Sequence, residues 1–253
     1  MILLFDIGNT HTHLGLADNT HLTRQVNIST AAWFNGTAKQ LLKEFIGQHP
    51  VSGAAFCSVV PRATRFVRRT VKALWKHDPL ELTPRTLTGV GINYPRPATI
   101  GPDRLANAVA VRHHYGAPAV VVDFGTAVTF DVVDARGDYV GGIIAPGLAA
   151  MTEYLHEKTA LLPKIRIREV NAVIGKNTRQ AMLIGAVHGY RGLIRELVSE
   201  LKRELKCRRL PVVATGGYAK LMAARLPEIT AVEPLLTLEG LRLVWRGSVN
   251  RDA

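Results

Sequence analysis

Cysteine is scarce. Cys57 and Cys207 are the only two, too few and too far apart for a disulfide framework or a zinc site. Long apolar runs are missing too, and no stretch approaches the ~20 residues that cross a bilayer. The apolar start Ile2–Phe5 is cut by Asp6 with no cationic stretch before it, so it does not read as a secretory signal. Low-complexity tracts and heptad arrays are absent. So is a Walker A loop: near Gly175-Lys176-Asn177-Thr178, position 170 is Val and an Asn follows the Lys. No Rossmann fingerprint occurs either. These absences leave a soluble chain expected in the cytoplasm, with no membrane partner. If it binds a nucleotide, it does so by other means.

Acidic residues are outnumbered. Asp and Glu total 20 against 32 Lys and Arg, a formal charge of +12. The excess gathers at Arg62, Arg65, Arg69, Lys72 and Lys76, at helical spacing beside an apolar stripe that includes Phe66, and at Lys202, Arg203, Lys206, Arg208 and Arg209. Solvated helix faces and a favourable helix C-terminus explain both clusters. Aromatic side chains do not interleave with them as a single-strand binder would need. With 253 residues, 47% of them hydrophobic, the chain fits one large globular domain or two lobes.

Against this background one pattern stands out, an Asp-x-Gly turn that occurs twice. Ile2–Ile7 reads as a buried strand closed by Asp6-Ile7-Gly8-Asn9-Thr10, and Ala119–Val122 as another closed by Asp123-Phe124-Gly125-Thr126-Ala127. A second strand leaves each turn. The Asp offers a hard oxygen for a cation carried by phosphates. The Gly lets backbone approach phosphate oxygens, and Asn, Thr and exposed N–H groups can donate to them. Thr215-Gly216-Gly217 adds a third such turn after a buried strand. Together they suggest a duplicated fold with a nucleotide in a cleft between related lobes.

The rest of the chain agrees with duplication. Strands at Ile2–Ile7, His13–Ala17 and Leu22–Ile28 precede a helix from Ala32 to Gln48, capped by Ser29 or Thr30. Strand Gly53–Val59, a basic helix opened by Pro61, a long Pro/Gly/Thr-rich loop over 83–102 and a helix over 103–114 follow. Strands at 119–123, 128–133 and 139–145 then repeat the opening. After them come a helix from Leu148, a long helix over 178–206, strand 210–214, a helix to Leu226, strand 229–232 and a helix over 238–245. The class is α/β with mixed sheets. The boundary is placed at Gly116-Ala117-Pro118, dividing the chain into lobes 1–116 and 117–253.

Gly101-Pro102-Asp103-Arg104 opens a helix. Asp103 is either a charge favourable to the helix dipole or a general base, with Arg104 holding an anionic group. His11 and His13 lack the further ligands of a metal site.

In order along the chain stand Asp6-Ile7-Gly8-Asn9-Thr10, Gly101-Pro102-Asp103-Arg104-Leu105-Ala106-Asn107-Ala108, Asp123-Phe124-Gly125-Thr126-Ala127 and Gly141-Gly142-Ile143-Ile144-Ala145-Pro146-Gly147. Asn177-Thr178 and Thr215-Gly216-Gly217 come after them. This ordered set, over roughly Ile2 to Leu241, resembles the type III pantothenate kinases of the acetate and sugar kinase/actin superfamily. Some members of that family were first described as Bvg accessory factors, linked to transcription.

The resemblance implies duplicated ribonuclease H-like, actin-like ATPase lobes around a central nucleotide cleft. It implies ATP-dependent phosphorylation of pantothenate to 4'-phosphopantothenate, the first step of coenzyme A biosynthesis, by a homodimer. Asp6 would position Mg²⁺ through water, with Gly8, Asn9, Thr10, Thr126, Gly216 and Gly217 on the phosphates or nucleotide. Asp103 would deprotonate the pantothenate hydroxyl. Tyr94, Gly101 and Arg104 would line the pantothenate pocket, and Thr178 would reach it across the dimer. Asp123 would hold a monovalent cation, K⁺ or NH₄⁺. Pro102 inside the G-x-D-R segment suits a first helical turn. The rivals are a superfamily kinase for another substrate and a nucleic-acid-associated accessory protein on the same fold. The intact Asp6, Asp103 and Asp123 oppose the second, and nucleic acid is not an expected partner.

Overall fold

The computed structural model describes residues 1–249, so residues 250–253 of the anticipated second lobe lie outside the described residues. The chain forms two compact units. One is Met1–His114 with the stretch that begins at Leu235, and the other is Tyr115–Pro234.

In the first unit, β1 (Ile2–Ile7), β2 (His11–Ala17) and β3 (Leu22–Ser29) form an antiparallel meander. Two short helices, α1 (Ala32–Asn35) and α2 (Ala38–Ile46), lead into β4 (Gly53–Ser58), which lies parallel to β1. The basic helix α3 (Pro61–Trp75) then leads to β5 (Leu80–Glu81), giving the order β3-β2-β1-β4-β5. β1 and β4 are apolar almost throughout because both faces of a central parallel pair are covered. Leu3, Phe5 and Ile7 pack with Trp33, Phe56 and Val67 on the face that α1–α3 cover. Each such side chain stabilises by about 1.5–3 kcal/mol.

The anticipated helix over 32–48 is broken at Gly36, which adopts φ +84°, while the Asn35 side chain accepts from the Thr37 N–H. Ala31 occupies the N-cap of α1, and the Ser29 hydroxyl accepts from the Ala31 N–H at 3.3 Å rather than from an N–H inside the helix. The Thr30 hydroxyl is committed elsewhere, as described below. The stretch over 83–102 is ordered by local turns rather than loose. It holds β6 (Gly91–Ile92) and a 3₁₀ turn at Pro97–Thr99, and the Thr86 hydroxyl donates to the Glu81 carbonyl at 2.6 Å. Helix α4 (Pro102–Tyr115) follows. On α3, Phe66 is not part of the buried stripe. It is exposed edge-to-face against exposed Phe34, over which Arg62 lies.

The second unit repeats the plan. β7 (Ala119–Phe124), β8 (Ala127–Val133) and β9 (Asp138–Pro146) form the antiparallel meander. Helix α5 (Leu148–Lys158), an irregular strap over 159–177, and helices α6 (Thr178–Ile184) and α7 (Tyr190–Glu204) follow. β10 (Val212–Thr215) joins β7 in parallel, then α8 (Ala219–Ala223) and β11 (Ala231–Val232) follow, and the six-stranded sheet contains the run β9-β8-β7-β10-β11. That five-strand run repeats the order of the first sheet. The long helix expected over 178–206 is interrupted by a π-helical turn at Gly185–Gly189, a feature often found at functional sites.

The closing helix α9 (Leu236–Val249) does not belong with the lobe to which the sequence reading assigned it. Its apolar face needs β1, β2 and β4, and two glycines make the fit possible. A Cβ on Gly53 would lie 2.1 Å from the Trp245 ring, and one on Gly15 3.2 Å from Leu238. On another side Gly240 meets α4 backbone to backbone, where a Cβ would stand 2.0 Å from the Ala106 carbonyl oxygen.

Candidate functional site

The first unit places Asp6 at the C-terminal end of β1, where the apolar strand gives way to the turn Gly8-Asn9-Thr10. The turn is locally closed: the Gly8 N–H donates to the His11 carbonyl at 3.0 Å. It is then pinned from below by residues the sequence reading missed. The Thr30 hydroxyl donates to the Gly8 carbonyl at 2.7 Å, and the Thr30 N–H to the Thr10 carbonyl at 3.0 Å. Buried Thr12 lies 3.1 Å from the Thr30 hydroxyl and accepts from the Trp33 indole at 3.0 Å. A polar residue inside an apolar strand was the available signal. Asn9 and Thr10 are left exposed at the tip, as a phosphate turn requires.

Asp103 enters the same neighbourhood from the first turn of α4. Its carboxylate accepts from the Arg104 N–H at 2.9 Å, and Gly101 leaves it room, since a Cβ there would be 2.5 Å from Asp103 Oδ1. A solvated helix-end charge would sit near the ordinary carboxylate range. Here burial pushes the Asp103 carboxyl up, against the opposing pull of Arg104. The Asp6 carboxyl is lifted to about 6, chiefly by burial, with the Asp103 charge adding to the rise and His13 and the Cys57 thiol opposing it. Two partly desolvated carboxylates that feel each other's charge are what acid–base work at neutral pH asks for. Tyr94 is exposed in the loop before α4.

In the second unit, Asp123 and the Thr215-Gly216-Gly217 turn, far apart in sequence, are brought together by the parallel pairing of Asp123 with Thr215. Gly216, at φ +87°, is seated so closely that a Cβ would be 2.5 Å from Asp123 Oδ1. The Asp123 turn is closed by the Gly125 N–H on the Ala127 carbonyl at 3.1 Å. Its Thr126 carbonyl accepts from the Gly147 N–H at 3.1 Å, and Gly147 is also the only residue type that fits, with a Cβ 2.2 Å from that oxygen. Thr126 and Gly217 are exposed.

The Lys176-Asn177-Thr178 stretch that mimics a Walker loop is a helix cap. Asn177 accepts from the Gln180 N–H, and the Gln180 side chain from the Lys176 N–H, both at 2.9 Å. Thr178 is exposed at the start of α6. Beside Gly217, Tyr218 helps line a cavity of about 730 Å³ together with Ala149, Thr152, Lys164, Arg166 and Arg179. The strap supplying Lys164 and Arg166 is anchored by Glu169, which accepts from buried Arg191 at 3.0 and 2.6 Å.

Among the described residues, no three His, Cys, Asp or Glu side chains gather as a metal cage. Asp6 and Asp123 are single hard donors, suited to cations whose other ligands are phosphate oxygens and water. No helix among the described residues is long and apolar enough to cross a membrane.

The family model for type III pantothenate kinase matches residues 2–200. A type III pantothenate kinase of Akkermansia muciniphila is 45% identical over 95% of this chain and 96% of its own length. One from Methylacidiphilum infernorum is 42% identical over 99% of this chain and 90% of its own. Among solved structures, component A of (R)-2-hydroxyglutaryl-CoA dehydratase from Acidaminococcus fermentans superposes with a TM-score of 0.51 at 12% identity, covering 98% of this chain and 96% of that one. That likeness speaks for the fold alone, the actin-like ATPase fold that the family resemblance implies. On the family match and the identity held over nearly its whole length, the chain belongs to the type III pantothenate kinase family.

Proposed function

We propose that this protein transfers a phosphoryl group from ATP to the hydroxyl of pantothenate, forming 4'-phosphopantothenate. The observation that carries the reading is the meeting of Asp6, from the phosphate-type turn, with Asp103, from the Gly-Pro-Asp-Arg segment, as two desolvated carboxylates in one unit. Phosphoryl transfer asks for positioning, charge neutralisation and a group that orients the nucleophile. Asp103 takes the last role and accepts the hydroxyl proton. Arg104, Tyr94 and Gly101 frame the pantothenate. Gly8, Asn9 and Thr10 receive phosphate oxygens, with Thr126, Gly216 and Gly217 on the nucleotide. The cavity beside Tyr218 suits the nucleoside.

Asp6 would hold a hydrated Mg²⁺ and Asp123 a monovalent cation. When bound, these ions neutralise charge on the phosphates. The reaction is placed in the cytoplasm. The test is ATP turnover with and without pantothenate, in K⁺, NH₄⁺ and Na⁺ salts. Turnover should require pantothenate, rise strongly with K⁺ or NH₄⁺, and rise little with Na⁺. Pantothenate-independent turnover would sink the reading, and equal rates in all three salts would remove the role given to Asp123.

A homodimer with a shared pocket completes this reading. Its support is the stripe Ala181, Gly185 and Gly189, exposed on α6 and the π turn, together with exposed Met151, Tyr154 and Leu155 on α5. Such apolar exposure suits a covered face. Thr178, at the head of that stripe, would reach the pantothenate held by the partner. Mixing inactive Thr178→Tyr and Arg104→Ala under subunit exchange should restore partial activity. Verified exchange without recovery would count against the shared pocket.

A further inference from the structure

Cys57 is a fully buried thiol that the proposed chemistry does not use. It sits on β4 as the direct neighbour of Asp6 in the parallel pairing with β1. Its Sγ donates to Asp6 Oδ1 at 3.4 Å. Across the other edge of β1, Asp6 pairs in register with His13, whose Nδ1 lies 2.6 Å from Asn27 Oδ1. Asp6 is thus flanked on both sides within its own sheet, and Cys57 is the flanking residue that reaches its carboxylate with a hydrogen bond.

We infer that Cys57 is a positioning residue: its thiol holds one oxygen of Asp6 and so fixes the carboxylate orientation that serves the cation on the phosphates. The thiol carries the proton of this hydrogen bond, and the Asp6 carboxylate accepts it. An S–H is a weak donor, but here its acceptor is a partly desolvated carboxylate, where a hydrogen bond counts for more. The competing account is that Cys57 is a small apolar filler between strands. The two differ in what serine does. Serine keeps a donor at nearly the same place, whereas alanine and valine remove it.

This inference rests on the reading of Asp6 as the carboxylate that serves the divalent cation, so the experiment includes Asp6→Asn. Binding of ADP is measured by titration calorimetry across a Mg²⁺ series, with no turnover involved, for Cys57→Ser, Cys57→Ala and Asp6→Asn. The pantothenate KM and thermal unfolding are recorded alongside. Cys57→Ala should raise the Mg²⁺ concentration for half-maximal ADP affinity about three- to tenfold, in the range of an ordinary hydrogen bond, since S–H is a weak donor. The pantothenate KM should stay unchanged, and Cys57→Ser should restore the Mg²⁺ response to within about twofold of the native protein. If alanine destabilises too far to measure, Cys57→Val fills the same space without a donor and replaces it. An alanine or valine variant that matches the native Mg²⁺ response overturns the inference. Equal losses in serine and alanine overturn it too, since packing would then be the cause. If Asp6→Asn leaves the Mg²⁺ response untouched, the role of Asp6 itself fails instead.

Discussion

Asp103→Asn should fold normally and still bind both substrates, yet turn over roughly 10²–10⁴-fold more slowly, the usual worth of a general base. Asparagine keeps the shape and the oxygen that accepts from the Arg104 N–H, so the first turn of α4 survives. What it loses is the ability to take a proton. The same geometry sets a pH signature. Carboxyls raised by burial take up protons above the ordinary carboxylate range, with Asp6 at about 6. Both must be ionised to act, so kcat/KM at limiting ATP should fall as pH drops through about 6 rather than about 4. Near-native kcat in the Asn variant would reduce Asp103 to a helix-end charge. An acid limb near pH 4 would remove the claim that burial tunes the pair.

Gly216→Ala should damage both the stability of the second unit and its nucleotide binding. The residue sits at φ +87°, where a side chain is strained, and its Cβ would lie 2.5 Å from Asp123 Oδ1 and 2.7 Å from the Phe124 backbone. Backbone cannot yield as a flexible side chain can, so the Asp123 turn must move. A loss of about 1–3 kcal/mol in stability is expected from overpacking plus strain, together with at least about tenfold weaker ATP binding. Gly217→Ala is the internal control for stability. Nothing lies within 4 Å of a Cβ there, so its unfolding free energy should stay within about 0.5 kcal/mol of native. Matched melting curves for the two variants would show that the seat of Gly216 against Asp123 is not tight.

Much of this was legible in the chain because the repeated turns carry their own punctuation. An apolar strand, an Asp, a Gly two residues on and a departing strand fix a hairpin locally, and the structure builds both hairpins and both parallel strands beside them. Less legible was what depends on partners distant in sequence. The break at Gly36 is a choice between continuing and ending a helix, and a lone glycine does not decide it. Thr30 reads as a helix cap until the fold places the Gly8 carbonyl beside its hydroxyl. Cys57 carries no signal in the sequence beyond its scarcity until the β1–β4 register sets it beside Asp6, since a shift of one residue would point it to the opposite face. The assignment of α9 failed for a related reason. Its apolar stripe shows that it is buried but not against which sheet, and only the facing glycines Gly15 and Gly53 make that choice.

The placement of α9 has a consequence for how the protein is made. The second unit is one continuous stretch of chain, whereas the first is assembled from two stretches with the whole second unit between them. On a ribosome, Tyr115–Pro234 can collapse as soon as it emerges. The first sheet must wait, with the Gly15 and Gly53 side of β2 and β4 uncovered, until Leu238 and Trp245 are delivered. The order of synthesis therefore reverses the order of completion. The half that carries Asp6 and Asp103 is the last to become whole, and until then it is the half that chaperones and proteases would find open.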